Sequence, residues 1–332
     1  MLPPLYDIPQ RNGDNVKSGM KNERCDRRWR LAVPLLIFLM ATSCARPTAP
    51  QVEPIHVVTP VYIVADIVKQ IGGDRVDAQW WIEAGQSLDA LEPTPERRSQ
   101  LRNADIVITR GEMDHWTLEN QNNEYDARRL IRLDRFLSSR DEDPRVPRYM
   151  WLNPAVVLEL TDDLTERLCT LDPKNEHKFR ANASTFRKKV LALCDNVRPT
   201  MDAARGEFLS LDPGFTPLPR YFSLIVANLE PIDVSDVSVY GVKTIKAAAK
   251  AAGARAVFVN NAMPGPLLRE WENRLDLTVL PLDATGSSAP GSGRSTYLQV
   301  LEYDLGQLAA GMKASTTVPS TDAPATTPAT TP

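Results

Sequence analysis

Gly85-Gln-Ser-Leu-Asp-Ala-Leu-Glu-Pro-Thr-Pro-Glu-Arg-Arg-Ser-Gln-Leu-Arg-Asn-Ala-Asp-Ile-Val-Ile-Thr-Arg-Gly111 packs a loop, a capped helix and a short apolar strand into 27 residues. Thr94 suits an N-cap and Pro95 the first helical position. Glu96 falls in the first turn, where its charge meets the positive end of the helix dipole. Leu101 and Ala104 lead into Asp105-Ile-Val-Ile-Thr109, a β-branched run short enough to be a covered parallel strand. The loop ahead of the cap, Ser87-Leu-Asp-Ala-Leu-Glu92, sets Asp89 and Glu92 at the mouth of a sheet, where open α/β folds bind ligands. On these residues alone, a solvated surface loop is the better account of the two carboxylates.

Working outward, the same alternation recurs. Ile55-His-Val-Val-Thr59 reads as a strand, and Thr59-Pro60 as the cap of a helix with Val64, Ile67, Val68 and Ile71 on its apolar face, closed by Gly72-Gly73. Arg75 to Glu83 reads as a second strand with Trp80 and Trp81 on opposite faces, and Arg129 to Asp134 as a fourth. Strands alternating with helices mean βαβ units and a parallel sheet. A helix is expected from Pro154 to Thr170. Beyond the break at Leu171-Asp172-Pro173, apolar residues step by three or four from Phe179 to Phe208. That pattern predicts one helix of about 35 residues, some 50 Å long, kinked at Pro199. A second alternation follows, with helices over Tyr221–Asn228, Val242–Ala252, Pro266–Arg274 and Tyr297–Met312 and strands over Ala256–Val259 and Leu277–Leu282. The fold class expected is α/β: two lobes, each a parallel sheet flanked by helices, joined by one long rigid helix. The boundaries are 54–172 for the first lobe, 173–208 for the connecting helix and 209–313 for the second lobe. The Thr/Pro/Ala-rich stretch 314–332 reads as a disordered tail.

The start of the chain carries an address. Arg24, Arg27, Arg28 and Arg30 precede the apolar run Leu31–Met40 and then Ala41-Thr-Ser-Cys44, the layout of a secretory signal. The run is too short to span a bilayer as a mature helix. Residues 1–19 are polar and Pro-rich, unlike any signal peptide, so Met20 is the expected start, and 44–53 reads as a tether. Residues 1–43 hold seven of the 39 Lys/Arg and four of the 42 Asp/Glu; the remainder has 32 against 38, a formal charge of −6. A mildly acidic exported chain is a poor nucleic-acid binder. Cys169 and Cys194 fall too far apart along the expected helices for a disulfide and read as buried small hydrophobes. Of the three histidines, His56 reads as a strand residue, and His115 and His177 as surface residues. No nucleophile–base pair or phosphate loop stands out, and Gly291-Ser-Gly293 is loop composition, so an enzyme is not expected.

Taken together, Val58-Thr59, Ile67 to Val76, Glu92-Pro-Thr-Pro95, Ala104-Asp-Ile-Val107, Gly111 with Trp116, Trp151-Leu-Asn-Pro154, Phe179-Arg-Ala-Asn182, Val257-Phe-Val259, Leu282-Asp283 and Thr296-Tyr297 occur in an order that resembles the solute-binding lipoproteins of bacterial zinc and manganese ABC importers, over about residues 54–312. Ala-Thr-Ser-Cys44 likewise resembles a lipoprotein processing site, with Ala41 where Leu is commonest, which implies Cys44 as the lipidated first residue. The resemblance implies a protein on the periplasmic or extracytoplasmic face, anchored to the membrane through lipid. It further implies a monomer that works with a permease and an ATPase, and an ion held between the lobes.

Members of that family take the ion with a His three residues before Glu-Pro-Thr-Pro, a His two before Trp-Leu-Asp-Pro, a His or Glu opening the second lobe, and an Asp after the late strand. Here those positions hold Asp89, Tyr149, Thr216 and Asp283, with Asn260 where a Glu is common after Val-Phe-Val. Only Asp283 matches. The segment Thr117–Asp126, where many zinc-type members have a His-rich loop, has no His. Zinc sites favour imidazole and thiolate, whereas this set is all oxygen. It suits Mn²⁺, Mg²⁺, Ca²⁺ or Fe³⁺, the last with Tyr149 as phenolate. Two buried carboxylates without a cation would be costly, so the position is either occupied by something cationic or open and wet. Delivery of a divalent cation, Mn or Zn by family, is one expectation; a ligand-free member acting in adhesion or as a scaffold is the alternative.

Overall fold

The computed structural model describes residues 53–83, 88, 94–111, 114, 127–137, 149–227, 229, 239–287 and 291–316. Asp89, Glu92, His115, Trp116, the 117–126 segment and Cys44 lie outside them.

In the first sheet β1 (Ile55–Val61) runs into α1 (Tyr62–Gly72) and β2 (Val76–Ile82). Helix α2 (Pro95–Asn103) leads to β3 (Ile106–Thr109), and β4 (Leu130–Arg132) closes the sheet. The strands lie in the order β2-β1-β3-β4, all pairings parallel. Thr94 caps α2 by accepting from the Arg97 amide at 3.3 Å, with Pro95 in its first turn. The strand expected to end at Thr59 instead continues through Pro60 to Val61, which pairs with Ile82. Pro60 can stay in it because the pairing to β3 has ended by Val58, so no amide is missed on that side.

Helix α3 (Pro154–Leu171) follows, and its start explains Trp151-Leu-Asn-Pro154: Asn153 accepts from the Ala155 amide at 2.9 Å and Pro154 opens the helix. Helix α4 (Glu176–Ala203) is 28 residues long, about 42 Å, with Phe179, Ala183, Phe186, Val190, Cys194 and Met201 buried. It is shorter than the periodicity predicts. Pro199 lies inside its last turn and a half, the chain turns extended at Ala204, and Phe208 is apolar for another reason. Phe208 hydrogen-bonds in extended form with Ile225 and Ala227 and stacks on Phe258 at 4.6 Å.

Helix α5 (Pro217–Tyr221) is brief, and the helix expected over Tyr221–Asn228 does not form in its described part, up to Ala227. Ser223 takes φ of 58°, the Leu224 amide returns to the Pro219 carbonyl, and Val226 bridges Phe208 instead. Then come α6 (Val239–Ala251), β5 (Ala256–Asn260), α7 (Gly265–Arg274), β6 (Thr278–Leu282) and α8 (Tyr297–Thr316). β5 and β6 pair in parallel, and Ser210 bridges Phe258, so the 208–211 segment extends the second sheet.

Alternation along β5 divides the interior. Val257 and Val259 face a small core with Leu209, Ile245 and Trp271. Phe258 and Leu282 belong to the main core, which runs without a break through Val190, Tyr297 and Val300 to Ile63, Val57 and Ile108. Helix α8 therefore ties the second sheet to α1 and α4. Gly311 permits this: a Cβ there would lie 2.5 Å from the Phe258 ring. Both Cys169 and Cys194 are free and buried.

Candidate metal site

Ligand sites of parallel sheets form at the carboxyl ends of strands, and three neighbouring segments of the second sheet end in polar residues. The 208–211 segment ends at Asp212, β5 at Asn260, and β6 at Leu282 just before Asp283. Asp212 precedes Pro213-Gly214 and accepts from the Gly214 amide at 2.9 Å through Oδ1. Its Oδ2 accepts from the Tyr149 hydroxyl and from Asn260 Nδ2, each at 3.0 Å. Asn260 Nδ2 also donates to the Tyr149 oxygen at 3.0 Å, so the triangle is closed. The Asn260 carbonyl oxygen accepts from the Ala262 amide at 2.9 Å, which fixes its amide group toward the other two.

Tyr149 comes from the first half of the chain and crosses to this edge. It is nearly buried, its ring packs on Phe215 at 5.0 Å, and a Cβ on Gly214 would lie 2.7 Å from it. Two residues on, the Trp151 indole donates to the Ala284 carbonyl at 2.7 Å. Tyr62 donates to the Ser295 carbonyl at 2.7 Å, and Asp66 accepts from the Tyr297 amide at 2.8 Å. Bonds from the first sheet's side thus converge on the 283–297 stretch. Burial raises the Asp66 pKa although that amide and Gln70 act to lower it.

Asp283 is buried behind the edge. Its Oδ1 accepts from the Thr285 and Gly286 amides at 3.1 and 2.9 Å, and its own amide donates to Asp304 Oδ1 at 2.8 Å. Its Oδ2 lies 3.4 Å from Arg294 Nε. Asp304 is wholly buried, and desolvation holds its pKa well above the usual carboxylate range. At the end of β3, Asp114 is committed to the Arg110 guanidinium at 2.6 Å.

Of the residues singled out from sequence, Tyr149 and Asn260 are brought together. Thr216 is not: it lies at the start of α5, where its backbone closes a turn on Pro213, and the second lobe's oxygen at the triangle is Asp212. Asp283 lies on the adjoining strand end but is paired with Arg294 rather than held open. Among the described residues no three His, Cys, Asp or Glu side chains cluster with the geometry of a metal site. Sequence reasoning missed Asp212, because what brings it to Tyr149 is the long-range bridge of Ser210 to Phe258 rather than a local pattern.

The family model for the periplasmic component A of the zinc-uptake complex, ZnuA, matches residues 57–311. The chain belongs to the ZnuA family. It is 24% identical over 184 residues to the iron ABC transporter substrate-binding lipoprotein MtsA of Streptococcus pyogenes serotype M1, a match covering 51% of this chain and 58% of that protein. It thus spans little more than half the length of that curated relative. It is 21% identical over 306 residues to the metal ABC transporter substrate-binding lipoprotein ScbA of Streptococcus cristatus, covering 85% of this chain and 97% of ScbA. In fold it resembles the Zn(II)-bound ZnuA-like domain of Streptococcus pneumoniae AdcA, with TM-score 0.66, 17% identity, and coverage of 78% of this chain and 99% of that one. The names of these similar proteins refer to iron, zinc or metal in general.

Proposed function

We propose that this chain is the solute-binding lipoprotein of a metal-ion ABC importer, lipidated at Cys44 on the extracytoplasmic face. It takes an ion between its two lobes and delivers it as a monomer to the permease, with an ATPase driving transport. The observation that carries the reading is the Tyr149–Asp212–Asn260 triangle, in which an oxygen from one half of a ZnuA-family chain meets two groups at strand ends of the other. Asp212, Tyr149 and Asp283, with Asp89 from the loop before α2, make the candidate set, from which Thr216, at the start of α5, drops out. Asn260 joins by turning its oxygen inward, at the cost of its bond to Ala262. Three carboxylates with a phenol and an amide form an oxygen site, which gives Zn²⁺ no imidazole or thiolate and suits Mn²⁺ or Fe³⁺.

Calorimetric titration of the processed chain with Mn²⁺, Zn²⁺ and Fe³⁺ tests this. Heat with at least one ion, a raised melting temperature, and loss of both in Asp212→Asn with Asp283→Asn are expected. Silence with all three overturns the reading.

A further inference from the structure

The proposed ion position is already served by a cation of the protein's own. Both protons donated to Asp283 by Thr285 and Gly286 go to Oδ1, which leaves Oδ2 as the oxygen with which Asp283 can meet anything else. Oδ2 is buried without a hydrogen bond, its side chain 4% exposed, and what faces it is Arg294. The other well-buried ion pairs are tight: Arg75–Asp172 is 2.7 Å and Arg110–Asp114 2.6 Å, each with hydrogen bonds. Arg294–Asp283 is longer, 3.4 Å, and carries charge without a bond. The guanidinium also lies 4.9 Å over the Tyr303 ring, a second seat for a cation. The limb that carries Arg294 is held by its backbone, with the Ser287 amide donating to the Arg294 carbonyl at 2.8 Å. Gly286, at φ of 71°, makes that approach possible, since a Cβ there would meet the same carbonyl at 3.0 Å.

We propose that Arg294 is a tethered counter-cation that occupies Asp283 until an incoming ion displaces it, so that ion capture is an exchange of positive charges. The inference rests on the metal-binding reading above. Arg294 keeps a buried carboxylate from standing unpaired in the ion-free protein, which is the costly alternative. It also sets selectivity, because an ion must outbid a guanidinium, and a polyvalent cation attracts the carboxylate more strongly than a monovalent one at the same distance. The displaced side chain leaves both Asp283 and its place over Tyr303 and turns to solvent.

The test is titration of Mn²⁺ into the processed chain and into Arg294→Gln and Arg294→Lys, with trypsin cleavage after Arg294 followed in the unaltered chain. Removing a charged competitor is expected to tighten Mn²⁺ binding about tenfold or more in R294Q. R294K, which keeps the charge but loses the planar stack, is expected to fall between. Mn²⁺ is expected to speed cleavage at Arg294. Equal affinities of the unaltered chain and R294Q overturn this inference and leave the metal-binding reading standing; silence from both with Mn²⁺, Zn²⁺ and Fe³⁺ alike overturns the two together. If R294Q does not fold, a cleavage rate at Arg294 that Mn²⁺ leaves unchanged overturns it.

Discussion

Replacing Tyr149 by Phe removes one oxygen and little else. The ring keeps its seat on Phe215 and above Gly214, so no cavity opens. Lost are the bond donated to the Asp212 carboxylate and the bond accepted from Asn260, each 3.0 Å long. A hydrogen bond to a charged group contributes about 1.5–3 kcal/mol. Asp212 keeps its bonds from Asn260 and Gly214, so neither of its oxygens is orphaned, and the loss falls toward the lower end, about 2 kcal/mol. For a chain of this size that is a fall in melting temperature of about 4 °C. In urea the midpoint should drop with the slope unchanged, because the surface exposed on unfolding is the same. A double-mutant cycle with Asn260→Ala sharpens the test, since members of one network couple by about 0.5 kcal/mol or more. Strict additivity, or a Y149F midpoint equal to that of the unaltered protein, would refute the closed triangle.

Other consequences are as specific. The raised Asp304 pKa means that the folded chain holds a proton the unfolded chain has released, so stability is highest below the ordinary carboxylate range and falls as pH rises from there toward the folded value. Asp304→Asn, which keeps an oxygen for the Asp283 amide, should remove that slope, so its stability relative to the unaltered chain improves with pH; parallel urea-midpoint curves across pH would contradict this. Trp151→Phe removes the bond to the Ala284 carbonyl and leaves that buried oxygen without its indole partner. The expected cost is about 1–3 kcal/mol with a cavity contribution on top, and an unchanged midpoint would show that this link between the halves is dispensable. The Cys194 thiol is fully buried and its pKa is pushed up to about 11 by desolvation, so a thiol reagent at pH 8, mapped by mass spectrometry, should leave it unmodified until denaturant is added; rapid native labelling would refute its burial.

Much of this molecule is legible from local chemistry. Thr94-Pro95 and Asn153-Pro154 announce helix starts because a capping side chain and a missing amide act within a few residues, and the short β-branched run Ile106–Thr109 is a covered parallel strand, as its composition suggests. What periodicity could not settle was where an apolar residue spends its face. Phe208 continues the spacing of α4 yet pairs as extended chain beside β5, and the apolar residues after Tyr221 join it there. The site shows the same limit. Asp283 and Tyr149 could be placed by their neighbours in sequence, but Asp212 rather than Thr216 meets Tyr149 because Ser210 bridges Phe258, a register that no local rule contains. Arg294 was equally hidden, since its role depends on a loop folding back so that a side chain 11 residues downstream faces Asp283.

The central claim is that this chain carries a metal ion, and elemental analysis of the processed protein, purified without chelator and denatured in metal-free acid, tests it most directly. The expected result is about one equivalent of a transition metal per chain, released in full and absent from the Asp212→Asn, Asp283→Asn double variant. Metal at trace level in the unaltered protein, together with failure to reload from Mn²⁺, Zn²⁺ or Fe³⁺, would contradict it.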